Sequence, residues 1–348
     1  MALPPNLAYL GPMGRNGLNQ ELALREEKQM KPVRWLAVLG LTLAILAMSL
    51  PGVSAQEGTP EGTPAAECVA PELPPGTPSD PVASPVGDEE VEMDGEDAAP
   101  VAEGPASRNI AATAEEALTN VVNCLNAGNW EGVAALMTPS MLMYVAGSTN
   151  PQDVIASFEE GAPAPVEILD IRNPVIDTNN RIGLSIVFSG LFNGPGIQAA
   201  EKWYFVRDGD TLKLDEIVVT NFPEDLYLDV PIVTVQMVDY AFALDLNTIP
   251  AGPVIFRFSN TSFNNEPHVG VTVTLTEGIT AEDVIQGEAL PDDQMTGFVN
   301  AIFLEPGQTG DYYVEDLAPG VYTLVCDVTT ADGTPHWMLG MVAQFTVE

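Results

Sequence analysis

The sequence predicts a multidomain chain in which an α+β unit is followed by an all-β Greek-key sandwich, after an apolar leader and a disordered tether. Three observations carry that expectation. Between about Ala111 and Gly161 apolar residues recur at helical spacing, and then the period drops to two. From about Asp225 onward the chain is short β-branched runs separated by Pro-Gly turns. Residues 56 to about 108 are rich in Pro, Glu, Ala and Gly and nearly devoid of large apolar side chains, so they have no core to bury.

The leader comes first. Trp35 to Leu50 is an uninterrupted apolar run, preceded by Lys31 and Arg34 and followed by the small residues Val53-Ser54-Ala55. At sixteen residues it is short for a span of about 20, and it has the layout of a secretory signal peptide over 30–55. Met30 opens a compact basic start, which leaves residues 1–29 as an upstream extension. The alternative is an uncleaved anchor, with membrane attachment only through residues 35–50. Either way the rest of the chain is expected outside the cytoplasm, secreted or held at the cell envelope. The tether, 56–108, repeats Gly-Thr-Pro at 58–60, 62–64 and 76–78. It reads either as a charge-extended spacer that holds the folded part away from a surface or as an inert one.

Composition excludes some partners. Twelve Lys+Arg against 49 Asp+Glu give a formal charge of −37, a surface that repels nucleic acid and anionic lipid headgroups. The acidity runs through the later globular stretches. It suits either a high-salt habitat or simply a hydrated exported surface.

The α+β unit is expected over 109–222. Ala117, Val121, Val122 and Leu125, then Trp130, Val133, Leu136 and Met137, keep helical spacing broken at Gly128; Pro151 to Phe158 is a second helical stretch with Asn150 as its N-cap. Strands follow at Val166–Ile171, Ile182–Phe188, Ala200–Val206 and Leu212–Val219, the last two joined by an Asp208-Gly209 turn. The stretches Val122-Asn-Cys-Leu-Asn-Ala-Gly-Asn-Trp130 and Glu201-Lys-Trp-Tyr-Phe-Val-Arg-Asp-Gly-Asp210 resemble the NTF2-like (SnoaL-like) superfamily. The resemblance implies a cone with a pocket, able to bind a small molecule or to self-associate. Asp170, Asp177, Glu201 and Asp215 are candidate pocket acids or, equally, the solvated face of the strands. With no histidine in this stretch, no residue is assigned a catalytic role.

The sandwich is expected over 226–348, with strands at Val233–Val238, Pro253–Phe258, His268–Leu275, Val321–Cys326 and Val342–Val347 and a helical insertion over 277–303. The only two histidines of the chain, His268 and His336, fall in this part, together with Cys326 and Met341. Two imidazoles, a thiolate and a thioether form a mixed nitrogen–sulfur set that suits both oxidation states of copper. Alternation along the strand puts Tyr322, Leu324 and Cys326 on one face, so the cysteine closes the strand at an end of the sandwich.

The matching stretches Asp239-Tyr-Ala-Phe242, Ile249-Pro-Ala-Gly-Pro-Val254, Phe258-Ser-Asn260, Pro267-His268, Leu317-Ala-Pro-Gly-Val-Tyr-Thr-Leu-Val-Cys326 and Pro335-His336, with Met341 closing the set, resemble the cupredoxin family. That resemblance implies one mononuclear copper held by His268, Cys326 and His336, with Met341 as a weak axial ligand, and one-electron transfer with a redox partner protein. The nine residues between Cys326 and His336 exceed the family's usual interval. Asp332-Gly333 is a turn former inside that stretch. Met338 is an alternative thioether, and Trp337 either shields the site or packs beside it. Competing readings are a metal-free cupredoxin-fold recognition or envelope module and a copper storage or delivery protein; too few histidines are present for a multicopper oxidase. Of the three cysteines, Cys68 can reach Cys124, leaving Cys326 free, but the sequence does not fix the pairing.

Overall fold

A computed structural model describes residues 68, 70–72, 104–194, 196–287 and 294–348. The leader, the upstream extension and most of the tether lie outside the described residues. Among the described residues no helix is long and apolar enough to cross a membrane.

Helix α1 (Arg108–Asn126) buries the stripe Ala117, Leu118, Val121, Val122 and Leu125. It ends where Gly128 takes a left-handed φ of 65°, which glycine adopts without a Cβ penalty. Helices α2 (Trp130–Ala135), α3 (Pro139–Ala146) and α4 (Pro151–Glu160) follow, and the side chains of Asn129, Thr138 and Asn150 accept from the first-turn amides of each in turn. Strands β2 (Ala164–Ile176), β3 (Ile182–Leu191), β4 (Ile197–Asp208) and β5 (Thr211–Val219) form an antiparallel sheet curled around these helices. Its core gathers Leu118, Phe158, Phe188, Trp203 and Phe205. The helix-then-sheet order matches the expected α+β unit.

The expected tether is not free along its whole length. Cys68 is disulfide-bonded to Cys124 of α1, and Glu72 bridges to Thr211. A two-residue strand β1 (Gly104–Pro105) pairs with the end of β2. A chain end that gains backbone partners and a covalent link is held by them whatever its composition.

The remaining strands are β6 (Ile232–Val238), β7 (Ala241–Leu244), β8 (Thr248–Ile249), β9 (Gly252–Asn260), β10 (His268–Leu275), β11 (Met295–Leu304), β12 (Thr309–Leu317), β13 (Gly320–Val325) and β14 (Val342–Val347). Strands β11-β10-β13-β14-β8 make one sheet; β12-β9-β6-β7 lie opposite, over a core of Val235, Phe256, Phe258, Tyr312, Leu324 and Phe345. This is a β-sandwich. Of the segment 277–303, expected as a helical insertion, the described residues are α-helical only in α5 (Ala281–Gln286). Its second half is strand β11, registered on β10 with His268 opposite Leu304; sheet pairing overrides the weak helical pattern there.

The two parts share a sheet. Tyr312, Tyr313 and Val314 of β12 pair with Ala199, Gln198 and Ile197 of β4, so among the described residues one sheet of nine strands runs across both. Asp311 fixes this junction. It is fully buried, accepts both Nε and Nη2 of Arg257 at 2.9 and 2.8 Å, and accepts the amide of Phe222 at 3.0 Å.

Candidate metal centre

Each expected ligand is placed by backbone pairing. His268 opens β10, and the loop before it is anchored by buried Asn260, whose Nδ2 donates to the carbonyls of Glu266 and Leu304 at 2.9 and 3.0 Å. Cys326 follows directly on β13. Its amide donates to the carbonyl of Met341, and its own carbonyl accepts from Trp337 at 2.8 Å.

The long interval between Cys326 and His336 is an ordered excursion. Thr330 and Thr334 pair through the backbone, Gly333 turns with φ of 88°, and Thr329 bridges to Pro335. The chain therefore closes on itself, and His336 returns with its amide donating to Val328 at 2.8 Å. A 3₁₀ turn (His336–Leu339) then carries the chain to Met341, whose amide donates to the carbonyl of His336 at 3.0 Å.

The three side chains converge. His268 Nδ1 lies 3.1 Å from His336 Nδ1, and Cys326 Sγ lies 3.9 and 3.6 Å from them. One point lies about 2.1 Å from all three atoms, which is the length of a metal–imidazole bond. All three residues are fully buried. Met341 is buried in the core that also holds Cys326. Met338, the alternative thioether, is exposed. Trp337 packs against Val284 and Val325, on the other face of β13 from Cys326.

Electrostatics fit a cation. Burial, reinforced by the neighbouring His336, pushes His268 down to about 4, and burial lowers His336 as well. Both rings are therefore neutral near pH 7. With no metal present, one neutral ring can donate its Nδ1–H to the other, and a metal would displace that shared proton. Their far nitrogens, His268 Nε2 and His336 Nε2, are buried and have no hydrogen-bond partner. The nearest carboxylate to His336 Nε2 is Glu266, with Oε2 3.8 Å away, beyond hydrogen-bond reach. Burial pushes the Cys326 thiol up to about 12, against the pull of the Val269 and Val328 amides. The Val269 N–H approaches Sγ to 3.5 Å. A bound metal ionises such a thiol outright.

Three supporting residues had no role assigned from sequence. Tyr240 stands edge-on to His336 with ring centroids 5.0 Å apart; Glu266 and Asn260 act as described. Glu266 and Asn260 stand inside or beside the matched stretches around His268, so adjacency to a ligand was the one available signal.

The pocket acids divide. Asp177 pairs with Arg181 at 2.8 Å, Asp215 accepts from Thr138 at 2.8 Å, and Asp170 pairs with Arg172. These three are structural. Glu201 lines a cavity of about 230 Å³ that does not include the other three among its walls.

No protein-family model matches the chain, and no curated protein matches it. Solved structures do. A structure of auracyanin B is 22% identical over 34% of this chain and 88% of that one, with a TM-score of 0.26. Dithionite-reduced auracyanin from the photosynthetic bacterium Roseiflexus castenholzii is 25% identical over 34% and 98%, with a TM-score of 0.25. A multicopper oxidase from Pediococcus acidilactici is 13% identical over 53% and 44%, with a TM-score of 0.22. On its own geometry, a two-sheet sandwich with a His–Cys–His cluster at the end of β13, the C-terminal part is cupredoxin-like.

Proposed function

We propose that this is an exported copper protein that carries single electrons through one mononuclear site formed by His268, Cys326 and His336, with Met341 as the weak axial donor. The observation that carries this reading is the convergence of two Nδ1 atoms and one Sγ on a single buried point. Copper bound there supplies a one-electron couple between Cu(I) and Cu(II). The soft sulfur suits the reduced ion and the imidazoles the oxidised one.

The chain's own contribution is rigidity and dryness. Backbone hydrogen bonds tie Cys326, His336 and Met341 to one another, so the donors are held for either oxidation state. Burial of the three donors keeps bulk water away from the site, which supports the carrier reading. Phe263 in the loop before His268, and Met338 and Leu339 in the turn that starts at His336, are exposed apolar side chains. They offer a redox partner protein a contact surface next to the ligand loops. Export rests on residues 30–55, and the strongly acidic composition is consistent with a partner other than nucleic acid.

The test is titration of the purified chain with Cu(II). One equivalent should bind with an intense visible thiolate-to-copper absorption, and Cys326→Ser should lose the colour. Failure to bind stoichiometric copper would sink the reading in favour of a metal-free recognition module. Binding without one-electron reduction and reoxidation of the bound copper would favour storage.

A further inference from the structure

A cavity of about 230 Å³ lies where the helical part meets the sandwich, and both contribute its walls. Tyr144, Phe158 and Trp203 line it from one side, Phe298 and Phe303 of β11 from the other. The volume is at the small end for ligand sites, which are mostly apolar with a few placed polar groups.

The polar groups inside are few. Asp311 and Tyr312 also line the cavity, but Asp311 is taken up by Arg257 and Phe222, and the Tyr312 hydroxyl by Thr272 at 2.8 Å. Glu201 accepts from Trp203 Nε1 at 2.7 Å, and burial pushes its carboxyl up to about 7. Asn300 is 2% exposed, and its Oδ1 is buried with no hydrogen-bond partner. An acceptor left in that state is destabilising, because it has given up its water and gained nothing in exchange. Among the described residues no side chain relieves it. No basic side chain lines the cavity to attract an anion, and its apolar walls disfavour a full charge of either sign.

We propose that this shared cavity binds an uncharged, mainly aromatic or aliphatic molecule of two to three rings that carries one hydroxyl or N–H group, donated to Asn300 Oδ1 and supported by Glu201. Strand β11 supplies both the acceptor and part of the roof, so the site exists only in the assembled chain. It is independent of copper, and the test uses metal-free protein with a chelator present.

The probe is N-phenyl-1-naphthylamine, an uncharged apolar molecule with one N–H. Its fluorescence should rise saturably at one equivalent per full chain. 2-Naphthol should displace it about tenfold better than 2-methoxynaphthalene, which has the same shape and no donor. Asn300→Leu should remove that preference, and Ala301→Phe, which fills the cavity, should abolish binding. If Asn300→Leu does not fold, Glu201→Gln, which converts an acceptor into a donor, should weaken 2-naphthol selectively. Leu228→Ser should change nothing, since that side chain is on the outer surface. No saturable binding, equal displacement by the two naphthalenes, or binding lost in Leu228→Ser overturns the proposal.

Discussion

The Nδ1 atoms of His268 and His336 face each other at 3.1 Å inside a fully buried site, with Cys326 Sγ completing the triangle. This arrangement fixes the proton balance of metal binding. His268 is pushed down to about 4 and His336 is also lowered below its ordinary value, so at and above neutral pH neither ring is charged. The Cys326 thiol, pushed up to about 12, keeps its proton until metal arrives. Copper binding between pH 7 and 8 should therefore release one proton, and affinity should rise about tenfold per pH unit. Proton release measured against copper added checks this. Release of two or more would show that the histidines are charged in the metal-free site.

Gly333 turns the excursion that brings His336 back, at φ of 88° and with open space where a Cβ would stand. Backbone geometry alone thus opposes substitution. Gly333→Val should lower stability by about 1–2 kcal/mol and speed copper loss, while stoichiometry stays at one. Chemical denaturation and chelator-driven copper release read the two effects. Unchanged release would mean that the Thr330–Thr334 pairing holds His336 without the turn.

The cluster of His268, Cys326 and His336 was legible because chemistry-bearing residues are scarce: two histidines and three cysteines leave few combinations, although which cysteine stays unpaired was open until the structure. The excursion was not, since its order comes from the Thr329–Pro335 bridge and the return of the His336 amide to Val328, which spacing does not encode. Strand β12 escaped for a different reason. Gly310 to Val314 are buried on both faces, between the helical part and the sandwich, so the period-two signal vanishes. The same strand joins the two sheets, which is why the sequence read as two separate units. Glu201 was legible as a pocket acid but not separable from Asp170, Asp177 and Asp215, because the arginine partners of Asp170 and Asp177 are visible only in three dimensions.

The disulfide between Cys68 and Cys124 closes a 56-residue separation and pins the tether to α1. It also packs against α2 so tightly that a Cβ on Gly132 would lie 2.4 Å from the Cβ of Cys68. Cys68→Ser should lower stability by about 2–4 kcal/mol in urea denaturation and leave the copper site untouched. A loss of copper in this variant would show that the two parts are coupled more strongly than the shared sheet implies.

Asp311 is fully buried and serves Arg257 and the Phe222 amide together. Asp311→Ala leaves both donors without an acceptor at the seam of the shared sheet. The expected loss is about 2–4 kcal/mol, within the range for orphaning buried partners. Because β4 and β12 are paired, the wild-type chain should unfold in one transition, with tryptophan fluorescence and copper absorption lost together. Separate midpoints in the wild type would show that the seam is weak.

Glu201 supplies a pH signature that belongs to the cavity. Its carboxyl is raised from 4.5 to about 7, chiefly by burial, against the lowering effect of the Trp203 N–H. The folded state thus holds this proton more tightly than the unfolded chain does. Its contribution is complete below the unfolded value near 4.5 and is lost as pH rises through about 7. Stability from this group should therefore fall between pH 5 and 8 by up to roughly 3 kcal/mol, opposite in sign to the usual carboxylate. Glu201→Gln, which keeps the shape and cannot ionise, should flatten that segment of the profile. Denaturant midpoints across pH 5–8 decide the matter: an identical slope in wild type and variant would place the titration elsewhere in the fold.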